Sequence, residues 1–248
     1  DGKTKDRLIA DDPKSAEILK PILRGRDIKR YRAEFADLWL IDSNNGYTDS
    51  NGKRIPPVDI NQYRAVKRWL DGHWEKISVR GDKGRTPYNL RDCAYYAEFE
   101  REKIVYKDIS QELSFALSTP GEFCNNTVYF IESNPDIKYL LTILNSKVIN
   151  WYFGTISAQL GGQTMRMFSI YMNQLPIPKI TEIDKTPLIN CANKILSLTE
   201  EKCNLNGKQK LNLQQDYEAE VNRLVYQLYG LSQEEVAFIE KLTDRHFQ

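Results

Sequence analysis

The 248 residues carry a formal net charge of +1, with 28% charged and 41% hydrophobic side chains, so the chain has the apolar content for a core and is not a disordered tail. A balance this close to neutral also excludes a uniform basic coat over nucleic acid. No apolar run approaches the ~20 residues of a membrane span, and the opening Asp1-Gly-Lys-Thr-Lys-Asp6 has no signal-like stretch; a cytosolic protein with no membrane partner is expected.

The length allows one large domain or two smaller ones, and the lack of an initial Met leads to the expectation of a fragment of a longer chain. Residues 14–23 read as a short helix ended near Pro21. It leads into a block from Lys20 to Arg32 with six Lys or Arg (20, 24, 26, 29, 30, 32) against one acid, Asp27, a local charge of about +5. Arg24, Arg26, Lys29 and Arg30 are candidate phosphate contacts, and Gly25 between two arginines would let the backbone come close to a ligand. A solvated turn whose arginines pair with neighbouring carboxylates is the alternative.

Leu38–Ile41 reads as a strand entering the turn Asp42-Ser-Asn-Asn-Gly46, and 47–57 as a polar loop carrying Lys53 and Arg54. The spacing of Tyr63, Val66, Trp69, Leu70 and Trp74 predicts one amphipathic helix over 61–77, with the tryptophans in the core. Between Arg64 and Arg91 eight Lys or Arg face three acids. The last part, Arg80 to Tyr96, mixes glycines, cations and aromatics as a loop following a nucleic-acid backbone does; Arg80, Lys83, Arg85, Tyr88, Asn89 and Arg91 are its candidate contacts. A plain surface loop is the alternative.

Residues 103–109, 114–117 and 127–131 are β-rich runs that predict an antiparallel meander, followed by a helix over 135–155. The Gly161-Gly162 loop carries Gln163, Thr164 and Arg166; Gln163 and Arg166 are candidate base readers, with a hinge or hairpin turn as the alternative. Leu175-Pro-Ile-Pro178 marks a domain exit, and 188–202, 211–229 and 232–243 read as helices, the last with a Ser232/Glu235 capping box. The domains expected are therefore 1–180 and a helical 181–248.

Catalytic signatures are scarce. Two histidines, His73 and His246, leave little for a triad, and the four cysteines form no Cys-x-x-Cys pair, so no metal site is expected. There is no glycine-rich phosphate loop, and Pro56-Pro57-Val58 does not match the Asp/Asn-Pro-Pro-Tyr/Phe motif of adenine methyltransferases.

Leu23-Arg-Gly-Arg-Asp-Ile-Lys-Arg-Tyr31 followed by Leu38-Trp-Leu-Ile-Asp-Ser-Asn-Asn-Gly-Tyr47 resembles the entry to the TaqI-like C-terminal specificity domain of type IIG restriction-modification enzymes. The resemblance continues through Arg80-x-Asp-x-Gly84, Tyr88-x-x-Arg91, Lys103-Ile-Val-Tyr106, Asn126-Thr-Val-Tyr129, Leu140-Leu-x-Ile-Leu-Asn-Ser-Lys147, Leu175-Pro-Ile-Pro178 and Val221-x-x-Leu-Val-Tyr-x-Leu-Tyr-Gly-Leu231. It implies an α+β fold: a mixed α/β target-recognition lobe with an antiparallel sheet, then a C-terminal helical lobe. It also implies double-stranded DNA as partner, together with an upstream methyltransferase domain of the same polypeptide. S-adenosylmethionine and Mg would serve the upstream domains, with no cofactor and no catalysis in this part. A protein-interaction domain with incidental basic patches, or a self-contained enzyme, are the competing expectations.

Overall fold

The computed structural model describes residues 1–158, 164–198 and 203–244. In chain order its elements are α1 (Gly2–Asp11), β1 (Leu19–Leu23), β2 (Trp39–Ile41), β3 (Tyr47–Thr48), β4 (Arg54–Ile55), α2 (Arg64–Asp71), α3 (Trp74–Val79) and β5 (Lys103–Lys107). Then follow β6 (Ile109–Ser110), β7 (Phe115–Ser118), β8 (Phe123–Cys124), β9 (Val128–Ile131), α4 (Ile137–Leu144), α5 (Lys147–Ile156), β10 (Met165–Arg166), α6 (Ser169–Met172), α7 (Glu182–Ser197), α8 (Gly207–Leu228) and α9 (Gln233–Asp244). Short antiparallel pairings and packed helices make this the expected α+β class. The chain divides into two compact units, each built of three segments: Asp1–Leu23, Phe35–Lys103 and Thr119–Asn125, and Arg24–Glu34, Ile104–Ser118 and Asn126–Gln248. The break anticipated after residue 180 is not a boundary of either unit, because α7 packs on α4 and α8, and α9 packs on α5.

In the first unit β1 is central, antiparallel to β2 (Leu19↔Ile41) and parallel to β8 (Ile22↔Phe123). The helix expected over 14–23 is instead a 3-10 turn over 13–18 running into this strand. Pro21 accounts for the difference, since the residue before a proline is pushed out of the helical region. Leu8, Ile18, Leu19, Ile60, Ala65 and Val66 form the core beneath it. The single helix predicted over 61–77 is two, α2 and α3, parted at Gly72-His73; Trp69 packs against the core while Trp74 stays 43% exposed.

The second unit has a three-stranded sheet in the order β7-β5-β9 with β5 and β9 antiparallel, so the first of the three predicted strands is central and the arrangement is not a meander. Its core runs from Tyr31 through Phe115, Leu141, Ile149 and Phe153 to Ile195 and Val225. Tyr31 is 1% exposed at φ 67, a left-handed conformation rare for an aromatic residue, and its N–H donates to Phe115 O at 2.7 Å. The helix anticipated over 135–155 is interrupted at Asn145-Ser146. The buried Asn145 amide pairs with the backbone of Phe115 in both directions, at 2.9 and 3.1 Å, and the Ser146 hydroxyl caps α5 by accepting from Ile149 N. Thr181 caps α7 upstream of Pro187, which explains why that helix begins before residue 188. The Ser232/Glu235 capping box is present in both directions.

Two side chains of the basic block hold this unit together. The Arg30 side chain is 18% exposed and ends on three partners: Nε on Glu218 Oε2 at 2.9 Å, Nη2 on Asn145 O at 2.6 Å and Nη1 on Glu112 Oε1 at 3.3 Å. Arg24 forks onto Asp27, Nη2 to Oδ1 at 2.8 Å and Nε to Oδ2 at 3.0 Å, while Asp27 also accepts the Arg24 backbone N–H. These hydrogen bonds hold the Asp27 carboxyl below its ordinary value of 3.8.

Removing one member of a buried pair leaves the other charge uncompensated, a loss of about 3 kcal/mol or more. Urea denaturation of Arg30→Ala is therefore expected to show a loss of this order, and Arg30→Lys, which cannot fork, should recover little of it. Because the folded-state pKa of Asp27 is depressed, its contribution is fully present above the ordinary carboxylate range and is lost as pH falls through the lowered value. Denaturation midpoints of Asp27→Asn should lie below those of the parent chain at neutral pH and converge with them in acid; an equal gap at all pH values would contradict the pairing.

Candidate nucleic-acid interface

The basic block Lys20–Arg32 divides on folding. Arg24 and Arg30 are committed to Asp27 and to the Glu218/Glu112/Asn145 set, so they brace the chain. Arg26 and Lys29 are exposed, Lys29 only loosely paired with Glu34 at 3.9 Å. Gly25 is buried and its N–H donates to Thr127 Oγ1 at 2.8 Å; a Cβ there would lie 2.9 Å from Thr127 O. The glycine serves close approach of the protein's own backbone, not of a ligand as expected.

In the first unit the 80–91 stretch is a tightly clamped loop. Arg80 donates a guanidinium N–H to Asn89 O, Gly84 N–H donates to the same oxygen at 3.0 Å, and Lys83 forms an isolated β-bridge with Leu90. Asn89 is 2% exposed; its amide donates to Val58 O at 2.9 Å and to Asn44 O at 3.3 Å, and its Oδ1 accepts the Thr86 hydroxyl. That consumes the side chain, so Asn89 is a structural knot and the expectation that it reads a base is withdrawn. Gly84 is required here, because a Cβ would lie 2.4 Å from Leu90 O and 2.5 Å from the Asn45 side chain. Tyr88 donates its hydroxyl to Asp71 and lies 5.3 Å from the Trp74 ring, with the Lys67 ammonium 5.4 Å from its own ring.

What this framework presents outward is a set of cations. Arg85 is exposed, its backbone N–H held by Asn45 Oδ1 at 2.6 Å while its guanidinium has no partner among the described residues. Arg91 has a 69% exposed side chain, 3.8 Å from Asp82, and the exposed Lys83 donates to Ser78 O at 3.0 Å. Lys53 and Arg54 also belong to this set. The 47–57 loop is the β3–β4 hairpin, with Gly52 at φ 79 in its turn, and residues 50–54 are all exposed. Their charge was legible in the sequence, but the hairpin that displays them was not.

Arg166, in the second unit, pairs with Asp108 Oδ2 at 3.1 Å and places its guanidinium 4.6 Å from the Phe168 ring, leaving the side chain one-third exposed. Gln163 and the Gly161-Gly162 pair lie outside the described residues. Among the described residues no group of three His, Cys, Asp or Glu converges as metal ligands do, and no helix is long and apolar enough to cross a membrane.

The chain is 22% identical over 219 residues to the Type II methyltransferase M.PaeR7I of Pseudomonas aeruginosa, an alignment covering 87% of this chain and 34% of that protein. It is 26% identical over 206 residues to the Type II methyltransferase M.XhoI of Xanthomonas vasicola, covering 78% and 34%. The chain thus spans about a third of the length of these relatives. A solved structure of the Type IIL restriction-modification enzyme MmeI in complex with DNA superimposes over 99% of this chain and 33% of that one, with a TM-score of 0.64 at 15% identity, a likeness of fold. The family model for the TaqI-like C-terminal specificity domain matches residues 20–177, and the chain belongs to that family.

Proposed function

We propose that this chain recognises a short target sequence in double-stranded DNA as the specificity part of a larger restriction-modification enzyme, adenine-specific and of the type IIG kind. The observation that carries the reading is the 80–91 loop. Arg80, Thr86 and Asn89 spend hydrogen bonds inside the protein, while the side chains of Arg85 and Arg91 stand in solvent on the frame they make. A reader needs that division, since a side chain that discriminates bases must be held in place without being satisfied beforehand.

Within this reading Arg85 and Arg91 are the strongest base-reading candidates, through bidentate contact with guanine. Lys53, Arg54 and Lys83 make sequence-independent phosphate contacts. In the second unit Arg26 and Lys29 serve phosphate, and Arg166, already oriented by Asp108 and Phe168, serves a base or a phosphate. Tyr88 and Arg80 support the loop. The family match and the DNA-bound MmeI neighbour support duplex DNA as the ligand. The upstream methyltransferase domain of the same polypeptide would supply the S-adenosylmethionine site, and Mg would serve cleavage in the parent enzyme, in the cytoplasm.

Two experiments test it. Selection of the 248-residue chain on a random duplex library, at several salt concentrations, should enrich one short motif and show affinity falling steeply with salt. Binding with no enriched motif would overturn autonomous recognition. Against the selected site, Arg85→Ala or Arg91→Ala should cost about 1–3 kcal/mol and relax one position of the motif, whereas Lys53→Ala/Arg54→Ala should weaken all sequences alike and flatten the salt slope by about two phosphate contacts. Uniform weakening in every variant would remove the base-reading role.

A further inference from the structure

In the second unit a further cation stands apart. Lys107 ends β5, opposite Val128 of β9, and its side chain is half-buried. Among the described residues its ammonium has no hydrogen bond, ion pair or ring contact. An ammonium taken partly out of water without an acceptor is unfavourable, and its three donors stay open. Burial first, and then the charge of Lys29, hold the Lys107 pKa below the ordinary lysine value, while Glu112 acts the other way.

The backbone brings Lys29 to the same place. Gly25 N–H donates to Thr127 Oγ1 at 2.8 Å, and Thr127 O in turn accepts from Asp108 N at 3.0 Å, which pins the start of the turn carrying Arg26 and Lys29 beside the end of β5. Farther on, Tyr31 N–H donates to Phe115 O at 2.7 Å, and Phe115 opens β7, the other neighbour of β5. Residues 25–31 therefore cross the end of β5 from the β9 side to the β7 side, with Lys29 between the two anchors. The carboxylates around this crossing already have partners: Asp27 takes Arg24, Glu34 takes Arg32 at 2.8 Å with Lys29 at 3.9 Å, Glu112 takes Arg30, and Asp108 takes Arg166.

Two ammonium groups brought to one strand end, one of them without any acceptor, repel each other until an anion joins them. A phosphate fits this demand, since its oxygens can accept from both at once. We propose that Lys107 and Lys29 together hold one phosphate group; building on the DNA-recognition reading, it is a backbone phosphate of the bound duplex. The exposed Arg26 on the same turn, and Arg166 beyond Asp108, continue the positive surface around this pair, as a run of successive phosphates requires. A free phosphate ion presents the same oxygens, and experiment separates the two sources.

The test measures duplex binding against salt for Lys107→Met, Lys29→Met, the double variant and Lys107→Arg, with thermal unfolding alongside. Trace acetylation of the 248-residue chain, read by mass spectrometry, reports whether each lysine is covered by the random duplex or by inorganic phosphate. Expected for the double variant is a salt slope lowered by about one phosphate contact rather than about two, with Lys107→Arg close to the parent. Lys107→Met should unfold at or above the parent Tm, because its ammonium has no hydrogen bond or ion pair among the described residues to lose. Both lysines should be shielded by the duplex. A slope lowered by about two contacts puts the lysines on separate phosphates and overturns the proposal. So does a fall in Tm of Lys107→Met, which makes the ammonium structural. Lys107 labelled alike with and without a duplex that still binds and yields a motif overturns the phosphate site and leaves the DNA reading intact. Shielding of both lysines by inorganic phosphate, with no duplex binding, supports the pair with a free anion as its occupant and overturns the DNA reading. Shielding by neither overturns the site.

Discussion

The Arg30 guanidinium draws together residues 30, 112, 145 and 218, positions spread over most of the sequence. A charge this enclosed is tolerated only when nearly every donor finds an acceptor, and here two carboxylates and the carbonyl at the α4–α5 junction supply them. Satisfying it fixes where the helix pair α4–α5 breaks, where α8 lies, and how the chain enters the left-handed turn at Tyr31. The first unit has a counterpart in Lys103, 0% exposed, whose ammonium donates to the carbonyls of Phe99, Arg101 and Thr119. Burial lowers its pKa, and the three backbone oxygens are what keep the group in place.

These anchors explain why counting cations is a poor guide to which individual residues stay free. The Lys20–Arg32 block announces itself in sequence by composition alone, yet Arg24 and Arg30 are structural while Arg26 and Lys29 are exposed. Arg24 finds its partner three residues on, in Asp27, whereas the partners of Arg30 lie up to 188 positions away and leave no local mark. Asn89 shows the same limit from the polar side, since its acceptors come from residues 43, 44 and 58. Elements written in local terms were legible: the Ser232 capping box, the strand before Asp42, and the α+β class. Breaks written by tertiary pairing, such as Asn145 against Phe115, were not.

Sorting the basic residues by what they already touch therefore changes the picture of the surface. Arg26, Lys29, Lys53, Arg54, Lys83, Arg85 and Arg91 are exposed on short, braced features: the turn after β1, the β3–β4 hairpin and the 80–91 loop. Each is held by glycines with a definite duty, Gly84 and Gly25 against neighbouring backbone and Gly52 at positive φ. A rigid frame with unsatisfied tips suits recognition, because little conformational freedom is left to lose when a ligand is engaged.

The order in which the chain builds its two units has an evolutionary consequence. It passes from one to the other after residues 23, 34, 103, 118 and 125, so each unit is a patchwork of three segments. A single genetic crossover anywhere between residues 24 and 125 would give both units mixed parentage, pairing buried partners that were never selected together. Shuffling of halves between related genes is thus a poor route to new specificity for this fold. Diversification has two gentler routes: point substitution at exposed tips that no core depends on, and inheritance of the whole domain as one cassette.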